Sequence, residues 1–223
     1  MSEGTHHGGI VTMIPNIAGY DSIAPRFEAA RRLKRWELPF FEALAGRLAP
    51  GAKLLDCGCG TGHAGLTSMV EAGVEITALD GSAPMLALFG RRYPSARTVL
   101  SDMLDYRPDE PFDAIIAWDS FFYLDHVEQE RMLRRFAEWL RPGGLLLLTT
   151  GPGHSTVIGQ MFGVDFSYAS FAGSDYRALM GACGLSVEWD RFDEPGTQVH
   201  RVWLARKGPL APAARAAGAP QAL

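Results

Sequence analysis

Three glycines at alternate positions, Gly58, Gly60 and Gly62, follow a short apolar run and precede a helix-like segment. Glycine tolerates a positive φ and lets a phosphate, a carboxylate or an adenosine approach the backbone closely. Asp56 stands just before the glycines, and Asp80 ends the next apolar run, about 20 residues later, where a ribose-binding carboxylate is expected. The spacing therefore predicts a nucleotide-like ligand at the ends of two neighbouring strands.

The same turn also contains a formal G-x-G-x-x-G pattern from Gly60 to Gly65, which is typical of nicotinamide-dependent oxidoreductases. In those enzymes the first glycine follows the strand directly, whereas here Asp56 to Cys59 lengthen the loop before Gly60. A buried carboxylate without a partner is costly, so Asp56 fits better beside a ligand than inside a strand. At this point an NAD(P)-dependent oxidoreductase stays open as an alternative.

Strand-like and helix-like patterns alternate along the chain. The predicted strands cover 53–57, 75–79, 98–101, 112–118, 145–150, 185–192 and 199–205. The predicted helices cover 25–48, 62–72, 84–92, 127–140 and 174–183. Strands that alternate with helices predict a parallel sheet in an α/β fold, and the last two strands, joined without a helix, predict an antiparallel hairpin at one edge.

Five segments, in their order and spacing, resemble the class I S-adenosylmethionine (SAM) dependent methyltransferases; they are 54–62, 78–85, 101–103, 112–124 and 141–144. The resemblance covers about residues 20–207. It implies a Rossmann-like three-layer sandwich with a seven-stranded, mostly parallel sheet and a reversed terminal strand. It also implies in-line transfer of a methyl group from S-adenosyl-L-methionine to a small-molecule acceptor.

The resemblance assigns cofactor contacts to matching residues of this chain. Asp80 would accept hydrogen bonds from the ribose hydroxyls, Asp102 would accept one from the adenine amino group, and Tyr20 would close over the cofactor. From the residues alone, Asp80 is also explained as an acid at a helix N-terminus, Asp102 as a turn residue and Trp118 as part of the core. The implied cofactor-binding residues are Tyr20, Asp56, Gly58, Gly60, Gly62, Asp80, Gly81, Ser82, Met85, Asp102, Met103, Trp118 and Asp119.

The acceptor is expected at the carboxyl ends of the fourth and fifth strands, where open parallel sheets bind ligands. Tyr123 follows the fourth strand and His154 follows the fifth. The aromatic segment 154–173, which contains Tyr168, is long for a compact domain, as is typical of a lid; the alternative is a cap over the sheet edge. His154 is the candidate general base, needed only for an alcohol, a phenol or a protonated amine, and the alternative is a surface residue.

Composition and charge restrict the class of protein. The 223 residues fit one domain at 20–207, with an N-terminal arm at 1–19 and a tail at 208–223 that is rich in Ala, Pro and Gly. A formal net charge of -4 argues against a nucleic-acid partner, and the basic run 31–35 is interpreted as a solvated helix face. No apolar run approaches the roughly 20 residues of a membrane span. Three cysteines without further ligands at suitable spacing predict no metal site.

Taken together, these features lead us to expect a cytoplasmic SAM-dependent methyltransferase that acts on a small molecule, because the chain begins without the pattern of a signal peptide. Two alternatives stay open. One is the NAD(P)-dependent oxidoreductase, and the other is a methyltransferase-like protein that binds SAM without catalysis. The residues do not determine the acceptor, the methylated atom or the oligomeric state.

Overall fold

The computed structural model describes residues 16–30, 36–193 and 196–209. The helices are α1 Asn16–Ala30, α2 Leu38–Ala45, α3 Leu66–Glu71, α4 Ala83–Arg92, α5 His126–Trp139 and α6 Gly173–Ala182. The strands are β1 Lys53–Cys57, β2 Glu75–Asp80, β3 Arg97–Leu100, β4 Phe112–Ala117, β5 Leu140–Thr150, β6 Ser155–Met161, β7 Val164–Ser170, β8 Leu185–Phe192 and β9 Arg201–Lys207. A turn of 3-10 helix, Phe121–Tyr123, follows β4.

Within the described residues, the main sheet has seven strands in the order β3-β2-β1-β4-β5-β9-β8. Neighbours from β3 to β5 are parallel, whereas β9 runs antiparallel to both β5 and β8. This arrangement confirms the predicted fold class. Because β9 is reversed, its first residue, Arg201, pairs with Thr150 at the end of β5. The end of β8 and the start of β9 therefore lie beside the carboxyl ends of the parallel strands, where open sheets bind ligands.

Both faces of the sheet are buried, because neighbouring residues of a strand point to opposite sides. In β1, Leu54 packs in the same cluster as Phe41 of α2, whereas Leu55 packs in the cluster of Phe136 of α5. All four side chains are completely buried. Burial of one such side chain contributes about 1.5–3 kcal/mol to stability, so the two helical layers hold the sheet as a three-layer sandwich.

The single helix predicted over 25–48 is wrong, because α1 and α2 are separate helices. Pro25 lies inside α1, and Pro39 lies in the first turn of α2, where proline is tolerated because the N–H there has no helical partner. Both helices carry apolar residues at helical spacing, so periodicity alone does not separate them. Residues 16–19 of the predicted arm belong to α1, and the basic run at 31–35 lies outside the described residues.

Two other boundaries differ from the prediction by four residues or more, whereas the remaining differences are of one or two residues. The helix predicted from Gly62 begins at Leu66, because Gly62 adopts a φ of 87° and forms a turn. β5 begins at Leu140 rather than at 145, because Leu140 already pairs with Phe112 of β4. Most of the predicted arm and of the predicted tail lies outside the described residues.

The segment predicted as a lid, 154–173, contains a hairpin made of β6 and β7, which form a separate two-stranded sheet. Phe162 and Gly163 form its two-residue turn. Their φ values of 55° and 83° are both positive, as a type I′ turn requires. Phe166 of β7 is buried so closely against α1 that a Cβ added at Gly19 would lie 2.9 Å from its ring. The hairpin is therefore packed on α1.

None of the helices given above combines the length and the apolar character that a membrane crossing requires. In the same described ranges, no group of three or more His, Cys, Asp or Glu side chains is arranged to hold a metal ion.

Candidate functional site

A cavity of about 730 Å³ lies at the carboxyl ends of β1, β2 and β4. This volume is within the roughly 300–1,000 Å³ typical of small-ligand sites. Helix α1 and the turn of the hairpin also contribute to its wall. The predicted residues that line it are Tyr20, Asp56, Gly58, Gly60, Asp80, Gly81, Met85, Asp102, Met103, Trp118, Asp119 and Tyr123. The predicted residues Gly62, Ser82, His154 and Tyr168 do not belong to the lining.

The glycine turn after β1 has positive φ values of 77° at Gly58, 53° at Gly60 and 87° at Gly62. A Cβ added at Gly58 would lie 2.4 Å from the Cβ of Ser120 in the neighbouring loop. A Cβ added at Gly62 would instead lie 2.8 Å from the ring of Tyr93 at the end of α4. Gly58 therefore allows the loop of Ser120 to pack against the glycine turn, whereas Gly62 allows the turn to pack on α4.

Asp80 joins the glycine turn to the loop after β2. Its Oδ2 accepts the N–H of Gly60 at 2.8 Å, and its Oδ1 accepts the N–H of Ser82 at 2.8 Å. Burial raises the pKa of the Asp80 carboxyl, while these backbone hydrogen bonds act in the opposite direction. A carboxylate has about four acceptor positions, so these two bonds leave room for a ribose hydroxyl. Ser82 lies outside the lining because its hydroxyl caps α4, accepting the N–H of Met85 at 3.4 Å.

Three further aspartates line the cavity: Asp56, Asp102 and Asp119. Asp102 accepts the N–H of Leu104 at 2.8 Å, so it forms a turn and also faces the cavity. Asp119 has a φ of 50°, which is unusual for a residue other than glycine, and its N–H donates to the hydroxyl of Thr149 at 2.7 Å. Backbone in this sparsely populated region often occurs at ligand sites. The negative charges of the three aspartates favour a cationic ligand in the cavity.

Glu37 is a cavity-lining carboxylate that the sequence did not indicate, because it lies within the span predicted as one helix. Its side chain is buried, and Oε2 lies 2.9 Å from Nε2 of His63. The buried indole N–H of Trp118 donates to Oε1 at 3.4 Å. The ring of His63 stacks on Phe41, with centroids 4.1 Å apart and planes 3° apart. The two donors orient the Glu37 carboxylate at the cavity wall.

Two of the cavity-lining residues, Tyr20 and Tyr123, belong to a cluster of tyrosines. Tyr20 lies within α1, not in a segment before the first helix, and its hydroxyl is hydrogen-bonded to that of Tyr123. Tyr168 lies behind Tyr123, with ring centroids 5.0 Å apart. Burial raises the pKa of all three phenols, so their hydroxyls are protonated at neutral pH.

His154 does not face the cavity. Its side chain is exposed, and its ring stacks on His126 of α5 with centroids 4.8 Å apart. The strand order places residue 154 at the correct edge of the sheet, but the chain turns towards the start of α5 before β6 begins. The structure therefore does not bring this candidate base together with the predicted cofactor residues.

His200 is a second residue at this edge that the sequence did not distinguish, because it falls inside the strand predicted from residue 199. Its Nδ1 lies 3.1 Å from Oδ2 of Asp193 and 3.8 Å from Oδ1 of Asp119. Its ring stacks on Phe122 with centroids 5.4 Å apart. Contacts between residues so distant in sequence leave no local pattern.

The comparisons with known proteins agree with this geometry. Residues 54–144 match a family described as a methyltransferase domain. This span includes the glycine turn, Asp80, Asp102 and Asp119. This span belongs to a methyltransferase domain family, in agreement with the class I SAM-dependent methyltransferases that the sequence pattern resembles. SAM is the methyl donor of that family.

Two sequence relatives illustrate the breadth of the family. The Bacillus subtilis (strain 168) protein named "Putative methyltransferase YqeM" is 30% identical over 167 residues, or 66% of this chain and 66% of that protein. Phosphoethanolamine N-methyltransferase 3 of Arabidopsis thaliana is 30% identical over 107 residues, or 46% of this chain and 21% of that protein. The chain therefore spans slightly less than two thirds of the first relative and about a fifth of the second.

A solved structure shares the fold over most of its length. It is the 1,6-didemethyltoxoflavin-N1-methyltransferase of Burkholderia thailandensis, with 1,6-didemethyltoxoflavin and S-adenosylhomocysteine bound. The match covers 90% of this chain and 93% of that chain, with a TM-score of 0.70 and 19% identity. At this identity the likeness shows the fold alone.

Proposed function

We propose that this protein transfers a methyl group from SAM to a small-molecule acceptor. The observation that carries the proposal is the position of Asp80, which lines the cavity while it holds the glycine turn through Gly60. When bound, SAM supplies an electrophilic methyl group: its sulfonium C–S bond breaks as the bond to the acceptor forms, and the electron pair stays on sulfur.

The residues of the cavity fit this cofactor. Asp80 would accept the ribose hydroxyls, and Asp102 with the N–H of Met103 would hold the adenine. Asp56 and the backbone after Trp118 would hold the methionine end, beside the bare backbone of Gly58. Gly58 lets the loop of Ser120 pack closely against the glycine turn, because a Cβ there would lie 2.4 Å from the Cβ of Ser120. Gly81 and Met85 complete the lining near the ribose.

Positioning and exclusion of water are the contributions that this chain makes to the rate. A nucleophile held in line with the methyl group gains up to roughly 7–11 kcal/mol from orientation alone. Tyr20 of α1 and Phe162 of the hairpin both line the cavity, and they would cover the bound acceptor. His154 has no part in this proposal, because its side chain is exposed and stacks on His126 outside the cavity.

We further propose a small acceptor rather than a nucleic acid, because several carboxylates line the cavity and the net charge of the chain is -4. A cytoplasmic location is part of the proposal. It is supported by the free cysteines Cys57, Cys59 and Cys183, which suit a reducing compartment.

Calorimetry with S-adenosylhomocysteine (SAH), SAM, NADH and NADPH tests the cofactor. We expect SAM and SAH to bind and both nicotinamide cofactors to show no binding. Tight NADH binding without SAH binding would overturn the proposal. Release of SAH from SAM in the presence of a panel of small acceptors tests turnover. Binding without turnover on any acceptor class would favour the catalytically silent alternative.

A further inference from the structure

Aromatic rings from three separate elements line the cavity. Helix α1 contributes Tyr20 and Phe27, the 3-10 turn contributes Tyr123, and the hairpin turn contributes Phe162. The ring of Tyr20 stands nearly perpendicular to those of Phe27 and Tyr123, at centroid distances of 5.7 Å and 5.4 Å. We define these four residues as the aromatic corner. Rings arranged in this way offer faces and edges against which another flat ring packs.

One side chain holds the aromatic corner together. The amide Nδ2 of Asn16 donates to the carbonyl of Tyr123 at 3.0 Å and to that of Ser167 at 3.3 Å. Its Oδ1 accepts the N–H of Ser167 at 3.2 Å. Asn16 therefore links α1, the 3-10 turn and strand β7 through three hydrogen bonds. The aromatic corner is a built site whose walls are fixed relative to one another.

The polar groups of the aromatic corner are phenol hydroxyls. The hydroxyl of Tyr123 is hydrogen-bonded to that of Tyr20. These two hydroxyls carry two O–H donors and about four acceptor positions, and the bond between them uses one of each. One donor and about three acceptor positions are left for a ligand.

Charge restricts the ligand further. The phenols keep their protons because burial raises the pKa of Tyr20, Tyr123 and Tyr168, so they cannot balance a charged group. An anionic acceptor would also approach the carboxylates of Asp80 and Asp119, which line the same cavity. A protonated amine has no lone pair with which to attack a methyl group. An uncharged acceptor avoids all three costs.

We propose that the aromatic corner binds a flat, uncharged aromatic or heteroaromatic acceptor whose polar edge is hydrogen-bonded to the hydroxyl of Tyr123. This inference rests on the proposed function, because it concerns the acceptor of the same cavity. The tyrosines orient the acceptor and do not deprotonate it. The methylated atom is therefore one that is nucleophilic by itself, such as a ring nitrogen.

The test uses the full-length protein saturated with SAH and three bicyclic probes of similar size. The probes are 7-hydroxyquinoline, which is flat with a polar edge, decahydro-2-naphthol, which is polar but not flat, and 2-naphthoate, which is flat but anionic. Calorimetry and the fluorescence of hydroxyquinoline report binding. We expect hydroxyquinoline to bind at least about tenfold more tightly than the other two, because only it combines ring packing with an uncharged polar edge.

The variant Tyr123→Phe keeps the ring and removes the hydroxyl. It should weaken hydroxyquinoline binding about tenfold and leave SAH affinity unchanged. Tyr106→Phe, outside the cavity and against Trp139, is the matched control and should change neither. If Tyr123→Phe melts early, Tyr20→Phe replaces it, with a smaller loss expected, because the hydroxyl of Tyr20 is bonded to that of Tyr123 and Tyr20 also lines the cavity.

Equal binding of decahydro-2-naphthol would overturn the inference. Unchanged hydroxyquinoline binding by Tyr123→Phe, or by its replacement Tyr20→Phe, would overturn it as well. Absence of binding by all three probes to SAH-loaded protein would overturn it too, while leaving the proposed function intact. If SAH itself does not bind, the proposed function fails first.

Discussion

His63 donates the hydrogen bond that joins it to Glu37. Nδ1 of His63 accepts the N–H of Gly65 at 2.9 Å, so in the neutral ring the proton is on Nε2, 2.9 Å from Oε2 of Glu37. The carboxylate therefore accepts a hydrogen bond from a neutral ring. A buried negative charge at the cavity wall favours a cation in the cavity.

Glu37→Gln should weaken SAM more than SAH, because only SAM carries the positive sulfonium. We expect a loss of about tenfold for SAM, which corresponds to about 1.4 kcal/mol. Calorimetry on both ligands measures the ratio. Glu42→Gln, on the exposed side of α2, is the control and should leave both affinities unchanged. Equal weakening of SAM and SAH would assign Glu37 a structural role.

Acidification should weaken SAH binding through Asp80. Burial raises the pKa of this carboxyl, so it takes up a proton at a higher pH than an ordinary aspartate, and the protonated form accepts fewer hydrogen bonds. The SAH dissociation constant should rise as the pH falls through the raised pKa of this carboxyl. Asp80→Asn should bind weakly and show a flat pH dependence, whereas the exposed control Asp109→Asn should follow wild type.

The raised pKa of Asp80 has the opposite effect on the stability of the protein without ligand, which acidification should increase. The folded pKa of Asp80 lies above the unfolded one, so the folded state favours the protonated form. Its contribution to the free energy of unfolding is then fully present below the unfolded pKa and is lost as the pH rises through the folded pKa. Thermal melts of wild type and Asp80→Asn across this range measure the difference, and parallel curves would contradict it.

Gly58→Ala should destabilise the protein more than Gly51→Ala. Both glycines have similar φ values, 77° and 78°, so both alanines carry a left-handed cost of about 1–2 kcal/mol. A Cβ at Gly51 meets nothing within 4 Å, whereas one at Gly58 would lie 2.4 Å from the Cβ of Ser120. This clash adds about 1–3 kcal/mol. Thermal unfolding of the two variants measures the gap, and equal melting temperatures would contradict the role of close packing.

His154→Ala should leave kcat and its pH profile unchanged, because the side chain is exposed and stacks on His126 outside the cavity. The measurement is a pH–rate profile with an acceptor found in the SAH-release screen. A loss of about 10²–10⁴-fold, together with loss of the acidic limb, would establish His154 as the general base of the sequence hypothesis.

Asn16→Ala should loosen the hairpin without unfolding the main sheet, because it removes the three hydrogen bonds to Tyr123 and Ser167. Amide hydrogen exchange should accelerate at 155–170 and stay slow in β1 and β4. Gln160→Ala removes an exposed bond to Asp165 within the same hairpin and is the control. Uniform acceleration across the chain would indicate a global loss of stability instead.

Local features of the chain were predictable because their causes are local. The glycine turn, the acid at Asp80 and the reversed last strand each follow from a few consecutive residues, and the sheet order confirms the fold. Glu37 and Asn16 were not predictable, because their partners are far away in sequence; Asn16 reaches Ser167, 151 positions later. The strand order correctly predicted that His154 follows the carboxyl end of β5. The chain turns before β6, however, and the His154 side chain points away from the cavity, against His126.

The hairpin of β6 and β7 shares no strand pairing with the seven-stranded sheet in the described part of the chain. Insertions, deletions or register changes within it therefore leave the backbone ladder of the sheet intact. The proposed cofactor half of the cavity, in contrast, is built from strand ends and the closely packed glycine turn. If the proposed assignment holds, the range of acceptors can diversify through the hairpin, in evolution and in protein engineering, while the proposed methyl-donor half stays constant.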